Sequence, residues 1–121
     1  MDKIFTFVVN EENKILLLLG SDKDPQYHKS FWYVVTGGCE SYDKSKEDTV
    51  KREVKEETNL DVKETMYLNW IFKYKSLGVQ CTEYAYISFV NSRKNYFEWR
   101  KHRLQMVQYR WVYEFDRMGW R

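Results

Sequence analysis

Apolar and polar positions follow two rhythms along this chain, a strand rhythm over most of it and one helical stretch in the middle. Residues 3–9 (K-I-F-T-F-V-V) predict a strand, 10–13 a turn and 14–19 a second strand. Ile15, Leu16, Leu17, Leu18 and Leu19 are apolar without interruption, the pattern of a strand buried on both faces. A polar loop at 20–30 holds Pro25 and His28, and residues 31–35 (F-W-Y-V-V) predict a third strand that delivers the chain to Gly37. Residues 61–74 predict a long strand, with Val62, Met66, Leu68, Trp70, Phe72 and Tyr74 at period 2. A hairpin turn is expected at 75–78, and 79–90 is its partner strand. The chain loops at 91–95, is ambiguous over 96–108, and has a short strand at 109–113 (Y-R-W-V-Y). The fold class is α+β, a mixed sheet with at least one helix.

That helix is the most sharply bounded element. Ser45 is a good N-cap, and Asp48 three residues later completes a capping box. No Gly or Pro occurs from Lys46 to Thr58, and Asn59 tolerates the left-handed conformation that ends helices. Val50 and Val54, four apart, point to a core. Glu53, Glu56 and Glu57 stand at i, i+3 and i+4 and so share a face.

Grouped carboxylates repel by a few tenths of a kcal/mol per pair, about 0.2–0.5, unless a cation sits among them. Mg²⁺ favours carboxylate oxygen and keeps positions for water and substrate phosphate. The plain alternative is a solvated helix face laced with Lys/Arg–Glu pairs. The Gly37-Gly38 pair and the short polar loop just upstream favour the cation.

Residues 36–60 resemble the Nudix box, a Gly followed at fixed distance by Glu, then Arg-Glu-apolar-x-Glu-Glu-x-Gly-apolar. Arg52, Glu53, Val54, Glu56, Glu57, Thr58 and Leu60 match its second half. The lead-in Trp32-Tyr33-Val34-Val35-Thr36-Gly37-Gly38 is similar to the strand and turn before the box. Two departures stand out. Counted from Gly38, the first glutamate position carries Lys44; counted from Gly37 it carries Asp43, with one residue too many before Arg52. Asn59 replaces the closing glycine.

The resemblance implies a single domain over 1–121 with its box at 37–60, an α/β/α sandwich whose closing C-terminal helix is short or absent. It implies hydrolysis of a diphosphate linkage in a nucleoside di- or triphosphate or related nucleotide, by water attack at phosphorus. Mg²⁺, with Mn²⁺ as an alternative, is the implied cofactor, held by the Gly37 carbonyl, Glu53, Glu56 and Glu57. Glu53 and Glu56 are the candidate bases, with Arg52 beside them to orient carboxylates. Gly37, Gly38 and Trp32 are the candidate substrate contacts. Glu98 is a candidate distal base or metal ligand, although Gln105 stands where that glutamate is often found. The competing reading is a Nudix-fold domain with an eroded box that binds nucleotide or RNA without cleaving it. Three retained glutamates and Arg52 favour the hydrolase. A coincidental charged helix in an unrelated α+β domain is the third reading.

Composition narrows the partners. The formal charge is +2 over 121 residues, which argues against nucleic acid or a membrane surface. No apolar run approaches the ~20 residues that span a bilayer. The N-terminus enters a strand directly, so a secretory signal is not expected, and Cys39 and Cys81 stand alone like reduced thiols; both point to the cytoplasm. Aromatic residues make up 18% of the chain. Phe31, Trp32, Tyr33, Trp70, Phe72, Tyr84 and Tyr86 could stack on a base, but the first expectation is that most of them are core. The segment from Arg93 onward is basic and could steer polyphosphate or simply be solvated. His28 and His102 have no evident partner.

Overall fold

A computed structural model describes residues 1–20, 31–91, 98–102 and 105–112, with side chains for 1–18 and 33–91. In chain order the elements are β1 (Asp2–Val9), β2 (Ile15–Gly20), β3 (Phe31–Tyr33), β4 (Val35–Gly38), α1 (Lys46–Thr58), β5 (Val62–Ser76), β6 (Val79–Val90), β7 (Glu98–His102) and β8 (Gln105–Val112). The strands form one mixed sheet in the order β5-β6-β1-β2-β8-β7, with β4 paired to β1 and β3 paired to β2. The β1–β6 pairing is parallel, with Ile4 opposite Tyr84 and Thr6 opposite Tyr86. The pairings of β1 with β4 and of β5 with β6 are antiparallel.

Strand alternation sorts the side chains onto two faces. Ile4, Thr6 and Val8 of β1 are fully buried, whereas Phe5 and Phe7 between them are only partly so. The helix lies on the Ile4 face. Val50 and Val54 are completely enclosed there with Ile4, Val8, Leu16, Leu18, Val35, Tyr86 and Val90. Removing such side chains from water stabilises by about 1.5–3 kcal/mol each. Thr6 and Ser88 share a buried hydroxyl–hydroxyl hydrogen bond of 2.7 Å on the same face.

Three strand expectations change. The strand expected at 31–35 is interrupted at Val34, and its two halves serve different neighbours: β3 pairs with β2, and β4 crosses to β1. The ambiguous 96–108 and the short strand at 109–113 become a hairpin of β7 and β8, with β8 paired to β2 from Val112 opposite Ile15 to Gln108 opposite Leu19. The period-2 stripe on β5 runs from Met66 and is not core, whereas Val62, before a register shift, pairs with Val90 and packs on the core. Met66, Leu68, Trp70 and Phe72 are exposed by 40–50%. β5 is the terminal strand of the sheet, and its register shifts between Tyr67 and Ile71, where Asn69 has φ 56°. The expectation that the closing helix is short or absent concerns the chain after β8, which lies outside the described residues.

Candidate active site

The site is built on the short path from β4 through the polar loop into α1. Thr36, Gly37 and Gly38 run antiparallel to β1, with Ile4 opposite Gly37. Gly37 therefore faces the helix side, and the Glu53 side chain lies directly on it. A Cβ on Gly37 would overlap Cγ, Cδ and Oε1 of Glu53, whereas a Cβ on Gly38 would meet nothing within 4 Å. Close approach, not a left-handed turn, is what requires glycine at 37.

The helix starts as its caps predict. The Ser45 Oγ accepts from the Asp48 N–H at 3.1 Å, and Asn59 closes the helix at φ 62° with its N–H donating to the Lys55 carbonyl at 2.9 Å. Two of the three glutamates are buried, Glu53 at 2% and Glu57 at 5% exposure, and Glu56 is exposed. At 3.6 residues per turn, Glu53 and Glu57 differ by roughly 40° around the axis, and Glu56 is roughly 60° to the other side of Glu53. The shared face is thus a buried pair with a glutamate at its rim.

Arg52 is the hub. Its Nε donates to Asp43 Oδ1 at 3.0 Å and its Nη2 to Asp43 Oδ2 at 2.8 Å, a two-pronged pair. Nη2 also donates to the Gly38 carbonyl at 2.9 Å, and Nη1 reaches Glu53 Oε1 at 2.9 Å and Glu56 Oε2 at 3.3 Å. One guanidinium thus joins the glycine turn, the loop and two glutamates. The Tyr42 ring covers its other side, 5.3 Å from the guanidinium carbon.

Asp43, not Lys44, is the loop's partner for Arg52, and Lys44 is exposed. Asp43 Oδ2 further accepts from the Glu40 N–H at 2.9 Å and from the Thr49 hydroxyl at 2.8 Å. These donors, Arg52 first, hold the Asp43 carboxyl well below the usual carboxylate range, and the Arg52 guanidinium is raised in turn. Thr49 escaped the sequence reading. Its only signal was a small hydroxyl residue one turn into the helix, facing the loop acid.

Glu53 behaves in the opposite sense. Burial pushes its carboxyl up, the neighbouring Glu57 charge pushes it further, and Arg52 opposes both. Its Oε2 is enclosed and has no hydrogen-bond partner among the described residues. A buried carboxylate oxygen without a donor, beside a second buried carboxylate, is suited to a hard cation. The donor chemistry fits, but the set is not closed. Among the described residues no three His, Cys, Asp or Glu side chains stand together at ligand spacing, and Arg52 holds both Glu53 and Glu56.

The remaining candidates divide clearly. Gly37 and Gly38 lie at the site. Trp32 is in β3, and Glu98 and Gln105 begin β7 and β8, but their side chains are outside those described. His28 lies wholly outside. Of the aromatics, Tyr86 is core, Tyr33 and Tyr84 pack against it, and Trp70 and Phe72 are exposed. Cys39 and Cys81 are free thiols. Among the described residues no helix is long and apolar enough to cross a membrane.

Sequence and fold together match a recognised domain. The NUDIX domain profile aligns with residues 2–114, and the chain belongs to that family. Solved structures agree in fold. A MutT protein from Methanosarcina mazei superposes with TM-score 0.72 at 19% identity, covering 100% of this chain and 82% of that one. The NUDIX domain of Shewanella oneidensis NrtR, complexed with ADP ribose, gives 0.69 at 14% identity over 98% and 76%. A NUDIX hydrolase described from Listeria monocytogenes gives 0.69 at 21% over 98% and 82%. No curated protein matches the chain.

Proposed function

We propose that this chain is a metal-dependent Nudix hydrolase that cleaves a diphosphate linkage in a nucleoside di- or triphosphate or a related nucleotide derivative. The observation that carries this reading is Glu53: a buried carboxylate seated on Gly37, with one oxygen pinned by Arg52 and the other enclosed without a donor. Glu53, Glu56, Glu57 and the Gly37 carbonyl would hold Mg²⁺, or Mn²⁺ in its place. Bound there, the cation supplies charge neutralisation at the phosphates and a lowered pKa for water.

The chain's own groups do the rest. Gly37 and Gly38 bring backbone close to the phosphates without side-chain obstruction. Glu56 takes the proton of the attacking water in this reading, which its exposure at the rim supports. Arg52 acts through the carboxylates it holds and is a positioning residue. Asp43 fixes Arg52 and so takes the part of the first box glutamate, its shorter side chain matched by the extra loop residue. The Shewanella domain's complex with ADP ribose supports a nucleotide derivative as substrate class.

The test is phosphate and pyrophosphate release from a panel of nucleotides and dinucleotides with Mg²⁺ and then Mn²⁺, beside Glu57→Gln. Metal-dependent release that drops by orders of magnitude in Glu57→Gln supports the hydrolase, and the products locate the cut. Tight nucleotide binding with no release from any compound would transfer the reading to a binding domain.

A further inference from the structure

The strand that brings Gly37 under the helix is also held from its other side. β4 is four residues long, and among the described residues it pairs with β1 alone. On the helix side Gly37 lies against Glu53 with no room for a methyl group, and the Gly38 carbonyl accepts from Arg52 Nη2 at 2.9 Å. Thr36 precedes Gly37, so by strand alternation its side chain is on the opposite face. The Thr36 hydroxyl lies 2.9 Å from the Ile4 carbonyl oxygen and 2.9 Å from Glu83 Oε1. It has one proton for these two acceptors, so the two contacts amount to one shared hydrogen bond.

Glu83 is not next to β4 in the sheet. It stands on β6 opposite Lys3 of β1, and β1 lies between it and β4. Its side chain therefore crosses β1 to reach Thr36. Its second oxygen, Oε2, accepts from the Tyr74 hydroxyl of β5 at 2.8 Å. Tyr74, Glu83 and Thr36 form a strap over four adjacent strands, β5, β6, β1 and β4, that ends on the residue before Gly37. All three are half-buried. A half-buried carboxylate with both oxygens at hydroxyl groups is held in one orientation by charge-assisted bonds.

We propose that Glu83 is a positioning residue of the active site: anchored by Tyr74, it holds Thr36 and so fixes how Gly37 sits under Glu53. It touches neither substrate nor cation and acts through Thr36 alone. Gly37 is thus gripped between Glu53 on one face and, through its neighbour, Glu83 on the other. This deepens the hydrolase reading and rests on it, because there Gly37 and Glu53 both serve the cation. Residues that orient metal ligands at one remove carry about 10–100-fold in metal affinity. Glu83 acts at a further remove, so the low end of that range applies.

The test compares wild type with Glu83→Ala, Glu83→Gln, Thr36→Val and the double variant Thr36→Val/Glu83→Ala. Calorimetric titration with Mg²⁺ alone should show about tenfold weaker binding in Glu83→Ala and in Thr36→Val. The double variant should be no weaker than either, since both changes cut the same strap. Glu83→Gln should bind within about twofold of wild type, because its amide oxygen accepts from Tyr74 and its amide nitrogen donates to the Thr36 oxygen. A strap that served the fold alone would lower the urea midpoint and leave Mg²⁺ affinity unchanged, and that result would overturn the proposal. So would additive losses in the double variant, or a Glu83→Gln protein as weak as Glu83→Ala. Hydrogen exchange in chelator reads the strap without any cation. The amides of residues 33–40, among them the Cys39 N–H bonded to the Asp2 carbonyl at 2.9 Å, should exchange severalfold faster in Glu83→Ala than in wild type or Glu83→Gln. If the wild type binds no Mg²⁺, the metal-dependent reading fails and this exchange comparison decides. Equal exchange in all three proteins overturns the strap, and faster exchange in Glu83→Ala alone upholds its hold on Gly37.

Discussion

Asp43, bound to Arg52, and Gly37, under Glu53, are the residues by which the strand and loop grip the helix. Asp43 accepts four hydrogen bonds, two from Arg52 and one each from Glu40 N–H and Thr49. Asp43→Asn removes the charge that both prongs of Arg52 engage, and hydrogen bonds to charged groups contribute roughly 1.5–3 kcal/mol. Urea unfolding at neutral pH should show a loss of about 2 kcal/mol, with activity reduced as Arg52 loosens. Lys44→Glu should stay within about 0.5 kcal/mol and change turnover little. If Lys44→Glu raised activity strongly, the loop register would follow Gly38 instead. The pH dependence has a definite sign. A carboxyl depressed in the folded state binds fewer protons than it does unfolded, so its contribution is complete above the ordinary range near about 4. It is lost as pH falls from there through the depressed folded value. Asp43→Asn should therefore flatten the acid limb of the stability profile. At Gly37, a methyl group would displace Glu53, and misplacing a catalytic group by about an ångström can cost on the order of a hundredfold in rate. Gly37→Ala should lose activity on that scale, while Gly38→Ala, with no protein atom within 4 Å of its Cβ, should leave stability unchanged in the same urea unfolding measurement.

At the scale of elements, legibility tracked how local the determinants are. The helix was readable at both ends because Ser45 and Asn59 act on their own neighbours. Ser45→Ala should cost about 1 kcal/mol, measured by thermal or urea unfolding, and a null effect would mean that Thr49 and Asp43 alone secure the first turn. The β7–β8 hairpin was not readable. Glu-Trp-Arg-Lys-His and Gln-Met-Val-Gln-Tyr-Arg lack clean alternation; β8 becomes a strand through pairing with β2, where Trp111 meets Leu16 from about 95 residues away in sequence, and β7 in turn pairs with β8. β5 was readable as a strand but not as a surface. Period 2 says that Met66, Leu68, Trp70 and Phe72 share a face; it does not say that β5 ends the sheet and that no helix covers this side of it among the described residues. That is also why Trp70 and Phe72, which composition alone groups with the core aromatics, are exposed instead.

Over the whole molecule, the parallel β1–β6 pairing is the least legible feature and the one that organises both faces. It sets Ile4 beside Tyr84 under the helix and Phe5 beside Ala85 on the far side, so that β1 separates the carboxylate pair from the aromatic cluster of Phe5, Trp70 and Phe72. Spacing predicted that three glutamates share a helix face. It could not show that two are buried and that burial and the Glu57 charge push the Glu53 carboxyl up against the opposing pull of Arg52. Crowding two carboxyls in a buried site costs the cation-free fold, and a cation that binds the folded state offsets that cost by linkage. Glu53→Gln preserves an acceptor for Arg52 Nη1 and removes the repulsion from Glu57. In chelator the variant should therefore melt no lower than the wild type. Mg²⁺ at about a hundred times its dissociation constant should stabilise the wild type by about 2.7 kcal/mol, several degrees in a domain of this size. Glu53→Gln should gain little of that. Equal Mg²⁺ increments in the two proteins would remove Glu53 from the metal site, and a variant melting well below the wild type in chelator would show the buried charge to be a structural asset.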